Sequence, residues 1–468
     1  MSGSAVNQDH LNELAEFIEN VSFQNIPPSL SRKIHLHIVD TLTVALLGAE
    51  TDLSIKCQET FPTHNSRLNG VSSPLWGTDR WADPAISAFN NAIRSHVLEL
   101  DDSHGCDHSG AVVVPAVMSV AAQVQELPSL NDLVAAVVVG YEVARRTQTA
   151  LGGYKALNDR GWHSTAVCGP FGAAAAASHV MRLPKKQIAS ALSLTTSKAA
   201  GTWAYSSGGG DAKALHAGLA SKNGVEAALL AKHGVEGSAD VFRDVWGGFL
   251  KMYSGTQDDA HHLTRKLGED WLARNSRIKL YSSCASVHPV LEALEKFRKQ
   301  RPDIFEGGLP KVEVFVSESV SRMCGSNVFD ALSSRTARQL SLPYSLALVI
   351  LKGQPELQDY LDPKTKPEVM KDILRQITVV PDQINTDPSG HGTVIIHSHG
   401  EQHTVHTTTE YDTSVVEDAE PLLLQKLSWI GSYLNDEDRV AKLTSLILNP
   451  EDSMTFLDEA FSLLHVDK

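Results

Sequence analysis

Leu130-Asn-Asp-Leu-Val-Ala-Ala-Val-Val-Val-Gly-Tyr-Glu-Val-Ala-Arg-Arg146 is the stretch whose reading decides the fold. Leu133, Val137, Tyr141 and Val143 can share one inner side of a helix. Asn131 and Asp132 suit the positive end of the helix dipole, Arg145 and Arg146 the negative end. Apolar coverage this wide places the helix between other helices rather than on a surface. The same helical spacing, rich in Ala and poor in strand-like alternation, runs from residue 10 to about 265. Within it, Phe171-Gly-Ala-Ala-Ala-Ala-Ala177 follows Gly169-Pro170 and reads as a helix whose small side chains permit close packing.

Between about 270 and 415 the character changes. Ser276–Tyr281, Lys311–Val316 and Gln376–Val380 are short β-branched runs, and Gly392–Thr408 reads as a hairpin turning near Ser398–Glu401. Helical segments Pro289–Lys299 and Tyr344–Leu351 sit among them. From about 418 the pattern is helical again through Leu464, with apolar positions that need a partner elsewhere. The expectation is a mainly α protein. A large all-helical domain over residues 1–268 is completed by 418–468, and a smaller α+β lid domain spans 269–417.

At 468 residues the chain exceeds what one core usually serves. Its 41 Lys plus Arg against 55 Asp plus Glu, net −14, argue against a nucleic-acid or anionic-membrane partner, which would want a basic surface. An anionic small molecule stays open if cations gather locally. No apolar run approaches the ~20 residues that span a bilayer. The opening Met-Ser-Gly-Ser-Ala-Val-Asn-Gln-Asp-His10 has neither a secretory nor a mitochondrial pattern, so a soluble, cytoplasmic protein is expected. Cys57, Cys106, Cys168, Cys284 and Cys324 are widely spaced and lack any Cys-x-x-Cys, which reads as reduced thiols without an iron–sulfur cluster.

Four segments carry candidate chemistry. Glu99-Leu-Asp-Asp-Ser-His-Gly-Cys-Asp-His108 packs four acids and two histidines into ten positions and runs into an apolar segment, as an acid/base pocket would. His104 and His108 with their acids can be drawn as a metal site. That drawing needs a helix, however, and Gly105 with Ser109-Gly110 reads as a loop. Asp101 and Asp102 can equally cap a helix or hold backbone amides. His163, before the Ala-rich helix, lies where helix-end amides favour a carboxylate, and it reads either as a packed structural histidine or as a catalytic one. Gly208-Gly-Gly-Asp-Ala-Lys213 offers amides and a cation without a Walker or dinucleotide pattern, and a solvated lysine on a loop is its default. In Lys279-Leu-Tyr-Ser-Ser-Cys-Ala-Ser-Val-His-Pro289, Lys279 can face an interdomain cleft while Ser282, Ser283 and helix amides hold a carboxylate.

In this order the segments resemble the MmgE/PrpD family, which includes 2-methylcitrate dehydratases, cis-aconitate decarboxylases and an iminodisuccinate epimerase. The resemblance covers nearly the full length. It is carried by Glu99–His104 with Ser109–Ala116, by Gly161–Ala175 and by Asp211–Gly218. Trp246–Phe249, Ile278–Tyr281 with His288, and Ser341–Tyr344 extend it. It implies a homodimer with the site between domains and no metal or organic cofactor. By position, it implies a pocket formed by Glu99 or Asp101 with Ser103, His108, His163, Lys213 and Lys279. His104 is expected beside them on the substrate, and Asp102 assisting proton delivery to a departing hydroxyl. The reaction expected first is dehydration of a 2-methylcitrate or longer alkylcitrate. Decarboxylation of cis-aconitate to itaconate is the alternative, ahead of an epimerase or a non-catalytic relative. The chain departs from the family in a shortened gap before His108 and in Gln339, where many relatives carry Lys.

Overall fold

The computed structural model describes residues 9–68, 72–124, 126–326, 334–387, 389–407, 413–450 and 456–466. Helices α1 (Pro28–Gly48), α2 (Pro84–His96), α3 (Ser109–Ala121), α4 (Leu130–Ala150), α5 (Ser164–Val180) and α6 (Ala212–Lys232) carry the larger body. α5 is its axis, packed against α3, α4 and α6 and buried along almost its whole length. It begins seven residues before the expected Phe171 and runs through Pro170. Burial on all sides outweighs the hydrogen bond that an interior proline removes.

Small residues set how closely these helices approach. A Cβ on Gly172 would sit 2.6 Å from the Gly140 carbonyl oxygen, and one on Gly140 would sit 2.4 Å from Val113 Cγ1. α4 and α5 therefore touch backbone to backbone. The Ser129 and Asp132 side chains close a capping box at the start of α4, where the sequence placed its N-terminal signals.

The second core is smaller. α7 (His288–Gln300) and α8 (Leu342–Lys352) lie with a four-stranded sheet of β1 (Lys311–Ser317), β2 (Ile377–Asp382), β3 (Thr393–Ser398) and β4 (Glu401–His406). The strand order is β2-β1-β3-β4, with β1 parallel to β2 and the other neighbours antiparallel. β3 and β4 turn through His399-Gly400, both at positive φ (52° and 80°), the two-residue geometry that suits the twist of a hairpin.

Ser276–Tyr281 is not a strand. Arg277 makes one isolated bridge, exchanging two 2.8 Å backbone bonds with Ser103. The segment crosses between the two cores, and its backbone meets the Ser103 loop and the Lys426 ammonium in place of a neighbouring strand. Helices α9 (Val416–Leu434), α10 (Glu437–Leu448) and α11 (Phe456–Leu464) return to the larger body, where α9 and α10 pack on α1. From α9, buried Lys426 pairs with Asp40 at 2.6 Å and donates to the Leu100 and Lys279 carbonyls at 2.6 and 2.9 Å. It ties two distant segments together. Among the described residues, no helix is long and apolar enough to cross a membrane.

Gly172→Val is expected to force α4 and α5 apart and to cost about 1–3 kcal/mol in urea denaturation. Unchanged stability would contradict the backbone contact.

Candidate active site

Three backbone distortions gather in one short segment. Among the described non-glycine residues, positive φ occurs at seven, and Glu99 (53°), His104 (63°) and Asp107 (105°) are three of them. Strain of this kind persists where surroundings dictate the shape, and here Asp102 supplies much of the dictation. Asp102 Oδ1 accepts from the Gly110 amide at 2.9 Å, while Oδ2 accepts from the Tyr141 hydroxyl at 2.6 Å and lies 3.3 Å from His37 Nδ1. Gly110 is required because a Cβ there would stand 2.8 Å from the Tyr141 hydroxyl and 3.0 Å from Asp102 Oδ1. Asp102 is thus turned inward, as the helix-holding alternative expects. It does not line the cavity described next.

That cavity, about 240 Å³, opens between the two cores. The helical body contributes Glu99, Ser103, His104, Asp107, His108, Arg145, Tyr154, Trp203 and Lys213 to its wall, while Cys284, Ala285, Ser286, Asp387 and Ser389 come from the other side. A cleft of about 60 Å³ adjoins it, sharing Ser103, His104, Ala285 and Ser389 and reaching Lys279, Arg277 and His288. A larger groove of about 550 Å³ near Ile18 and Asp132 holds none of the candidate residues.

Glu99 joins the two lysines. Oε2 accepts from Lys213, in the first turn of α6, and Oε1 accepts from Lys279 at 3.1 Å. All three are at most 4 % exposed, so Lys213 is no solvated loop lysine. Burial would raise the Glu99 pKa, but Lys213 and Lys279, helped by His108 and His96, hold it well below the usual carboxylate range. Burial opposes the charge of Lys279 too, and Glu99 and Asp101 more than restore it.

Lys213 Nζ also lies 3.0 Å from His96 Nε2 and 3.2 Å from His108 Nε2. Asp101 bridges the far edges of both rings, 3.0 Å from His96 Nδ1 and 2.9 Å from His108 Nδ1. The environments then diverge. Burial and Lys213 push His96 down to about 4. His108 meets the same two influences, but Asp101, Asp107 and Glu99 outweigh them and raise it above its ordinary value. Once charged, its Nε2–H finds no acceptor in Lys213, and the carboxylate oxygens nearest it are Asp107 Oδ1 at 3.6 Å and Glu99 Oε1 at 3.7 Å.

His163 caps α5 but stands one layer behind the wall, fully buried. Its Nε2 is 3.4 Å from Asp107 Oδ2 and its Nδ1 is 3.0 Å from His216 Nδ1, with the rings of Trp203 and Tyr205 against it. Burial drives it down to about 3, so it is neutral. Asp107 lies between the two histidines. Burial would raise its pKa, yet His108 and His163 keep it far below the usual range. Ser103 Oγ and His104 Nδ1 pair at 2.9 Å on the wall, and burial holds His104 down at about 4. Ser282 and Ser283 do not reach the cavity: Ser282 donates to the Leu98 carbonyl and accepts from Gln339 at 3.1 Å, and the Ser283 carbonyl accepts from His288 at 3.2 Å.

Among the described residues, two sets have ligand atoms within 4.8 Å of one another, as a metal would require: His96, Asp101 and His108, and Asp107, His108 and His163. Neither includes His104. In the first set the ring-to-carboxylate bonds and the Lys213 ammonium already occupy the donor atoms.

The pattern that defines the MmgE/PrpD N-terminal domain matches residues 12–261, and that of the C-terminal domain matches 281–449. The chain belongs to the MmgE/PrpD family. Cis-aconitate decarboxylase of Aspergillus terreus is 28 % identical over 97 % of this chain and 95 % of its own length. A cis-aconitate decarboxylase-like protein of Aspergillus oryzae is 27 % identical over 94 % of each chain, and human cis-aconitate decarboxylase 30 % over 56 % of this chain and 54 % of its own. The family boundary agrees with the bridging position of Arg277–Lys279, although α9 and α10, inside the C-terminal match, pack on the helical body.

His96, Arg145, Tyr154, Trp203 and Asp387 escaped the sequence reading. Arg145 reads only as a helix-end cation until its side chain is placed. His96 carried a usable signal, three residues before Glu99 in a stretch already dense in titrating groups.

Asp101→Asn is expected to lower the His108 pKa, followed by histidine NMR titration. In the wild type His108 should titrate above about 6.5. Its contribution to stability is then full below that value and lost as pH rises through the folded-state pKa. An unmoved His108 in the variant would contradict the assignment.

Proposed function

We propose that this protein is a cofactor-independent lyase that decarboxylates cis-aconitate or a close tricarboxylate. The observation that carries the reading is His108, held ready to charge beside Lys213 on the wall of a buried cavity. Loss of CO2 from the CH2–COO⁻ arm leaves its electron pair in an allylic system that extends into a neighbouring carboxylate. Lys213, with Lys279 behind it, stabilises that charge where little water competes. The Nε2 proton of charged His108 then goes to the carbon at the far end, the double bond shifts, and an unsaturated dicarboxylate results. Solvent returns the proton to the ring.

His163 acts through Asp107 and not on the substrate, and Asp102 fixes the loop that presents His108. Ser103 and His104 are polar wall groups for a carboxylate. The names of the relatives put decarboxylation ahead of the dehydration expected first from sequence. Dehydration of 2-methylcitrate or an alkylcitrate is the second reading. A homodimer and a cytoplasmic location belong to the same proposal.

Proton NMR of EDTA-treated protein in deuterated water tests the reaction. Cis-aconitate is expected to give itaconate carrying one new deuterium. An olefin from 2-methylcitrate alone would favour dehydration, and no turnover of either would refute both. Lys213→Ala and His108→Ala should each lower kcat/KM by about 100-fold or more with circular dichroism unchanged. Activity should survive chelation in full, and restoration by an added metal would contradict the cofactor-independent reading.

A further inference from the structure

Arg145, in the C-terminal half of α4, lines the cavity with a charge that no carboxylate among the described residues pairs. Its Nη1 donates to the Gly105 carbonyl at 3.0 Å and to Gln148 Oε1, both neutral acceptors. Its Nε and Nη2 have no partner among the described residues. Arg146, its neighbour, shows what a satisfied arginine looks like here. It pairs with Glu142 at 2.7 Å and donates to the Arg265 and Asp270 carbonyls at 2.7 and 2.8 Å. The other cation on the cavity wall, Lys213, is answered by Glu99. Burial therefore presses on the Arg145 charge and lowers its pKa, opposed in part by the charge of Asp107.

We propose that Arg145 binds a carboxylate of the substrate distant from Lys213 and so determines specificity for three carboxylates over two. A guanidinium presents parallel N–H donors matched to a planar carboxylate, and the two idle nitrogens of Arg145 form such a fork. Tyr154, Trp203 and Ala285 supply mostly apolar wall, and beside the neutral donors Ser103 and His104 the arginine is the cation that distinguishes a CH2–COO⁻ arm from a methyl group. The assignment rests on the tricarboxylate reading above.

Calorimetric titration with two unreactive probes tests it: tricarballylate, with three carboxylates, and methylsuccinate, the same skeleton with one arm reduced to methyl. Arg145→Gln is expected to weaken tricarballylate binding by about tenfold or more and methylsuccinate binding by less than about twofold, with Arg145→Lys in between. Equal weakening for the two probes would show that Arg145 merely holds the Gly105 loop, and no weakening would remove it from the site. Either result overturns the proposal while leaving tricarboxylate binding intact. If the wild-type protein binds no tricarballylate, the tricarboxylate reading fails first and the anchor with it.

Discussion

One buried carboxylate between two buried ammonium groups organises this molecule. Glu99 follows α2, Lys213 opens α6, and Lys279 lies on the segment that crosses to the second core, so their meeting ties three separate parts of the chain to one point. Each charge would be costly alone in so dry a place. Together they hold Lys213 on the wall of the cavity and Lys279 on that of the adjoining cleft, where an anion can meet them.

The surrounding residues keep that arrangement from collapsing. Asp101 draws His96 and His108 towards it, Asp102 and Tyr141 seat the start of α3, and Lys426 reaches from α9 to hold the carbonyls of Leu100 and Lys279. The strained φ angles at Glu99, His104 and Asp107 are sustained by this network, and they aim charged side chains inward where relaxed backbone would not. Asp107 occupies the gap between His108 and His163, which stands one layer back from the cavity.

Much of this was legible in the sequence. The helical period of α4 and its capping residues, the β-branched runs of β1 and β2, and the His-Gly turn between β3 and β4 follow from local chemistry, and each formed. Lys213 and Lys279 stand out because their segments, Asp211–Gly218 and Ile278–Tyr281, are among those that carry the family resemblance. Ser276–Tyr281 failed as a strand because alternation cannot reveal whether a neighbouring strand exists. The start of α5 was missed because Pro170 signals a break that only all-round burial overrides. Arg145 and Arg146 read identically along the chain, and only packing turns one to Glu142 and the other to the cavity.

The most direct measurement is the stability of Glu99→Gln alone and combined with Lys213→Met, by urea denaturation of the intact chain. If the buried carboxylate is what permits the two ammonium groups, the single change should cost about 3–5 kcal/mol, and removing Lys213 as well should recover part of that loss. A second loss added to the first would show that the lysine never depended on Glu99, and would contradict the account.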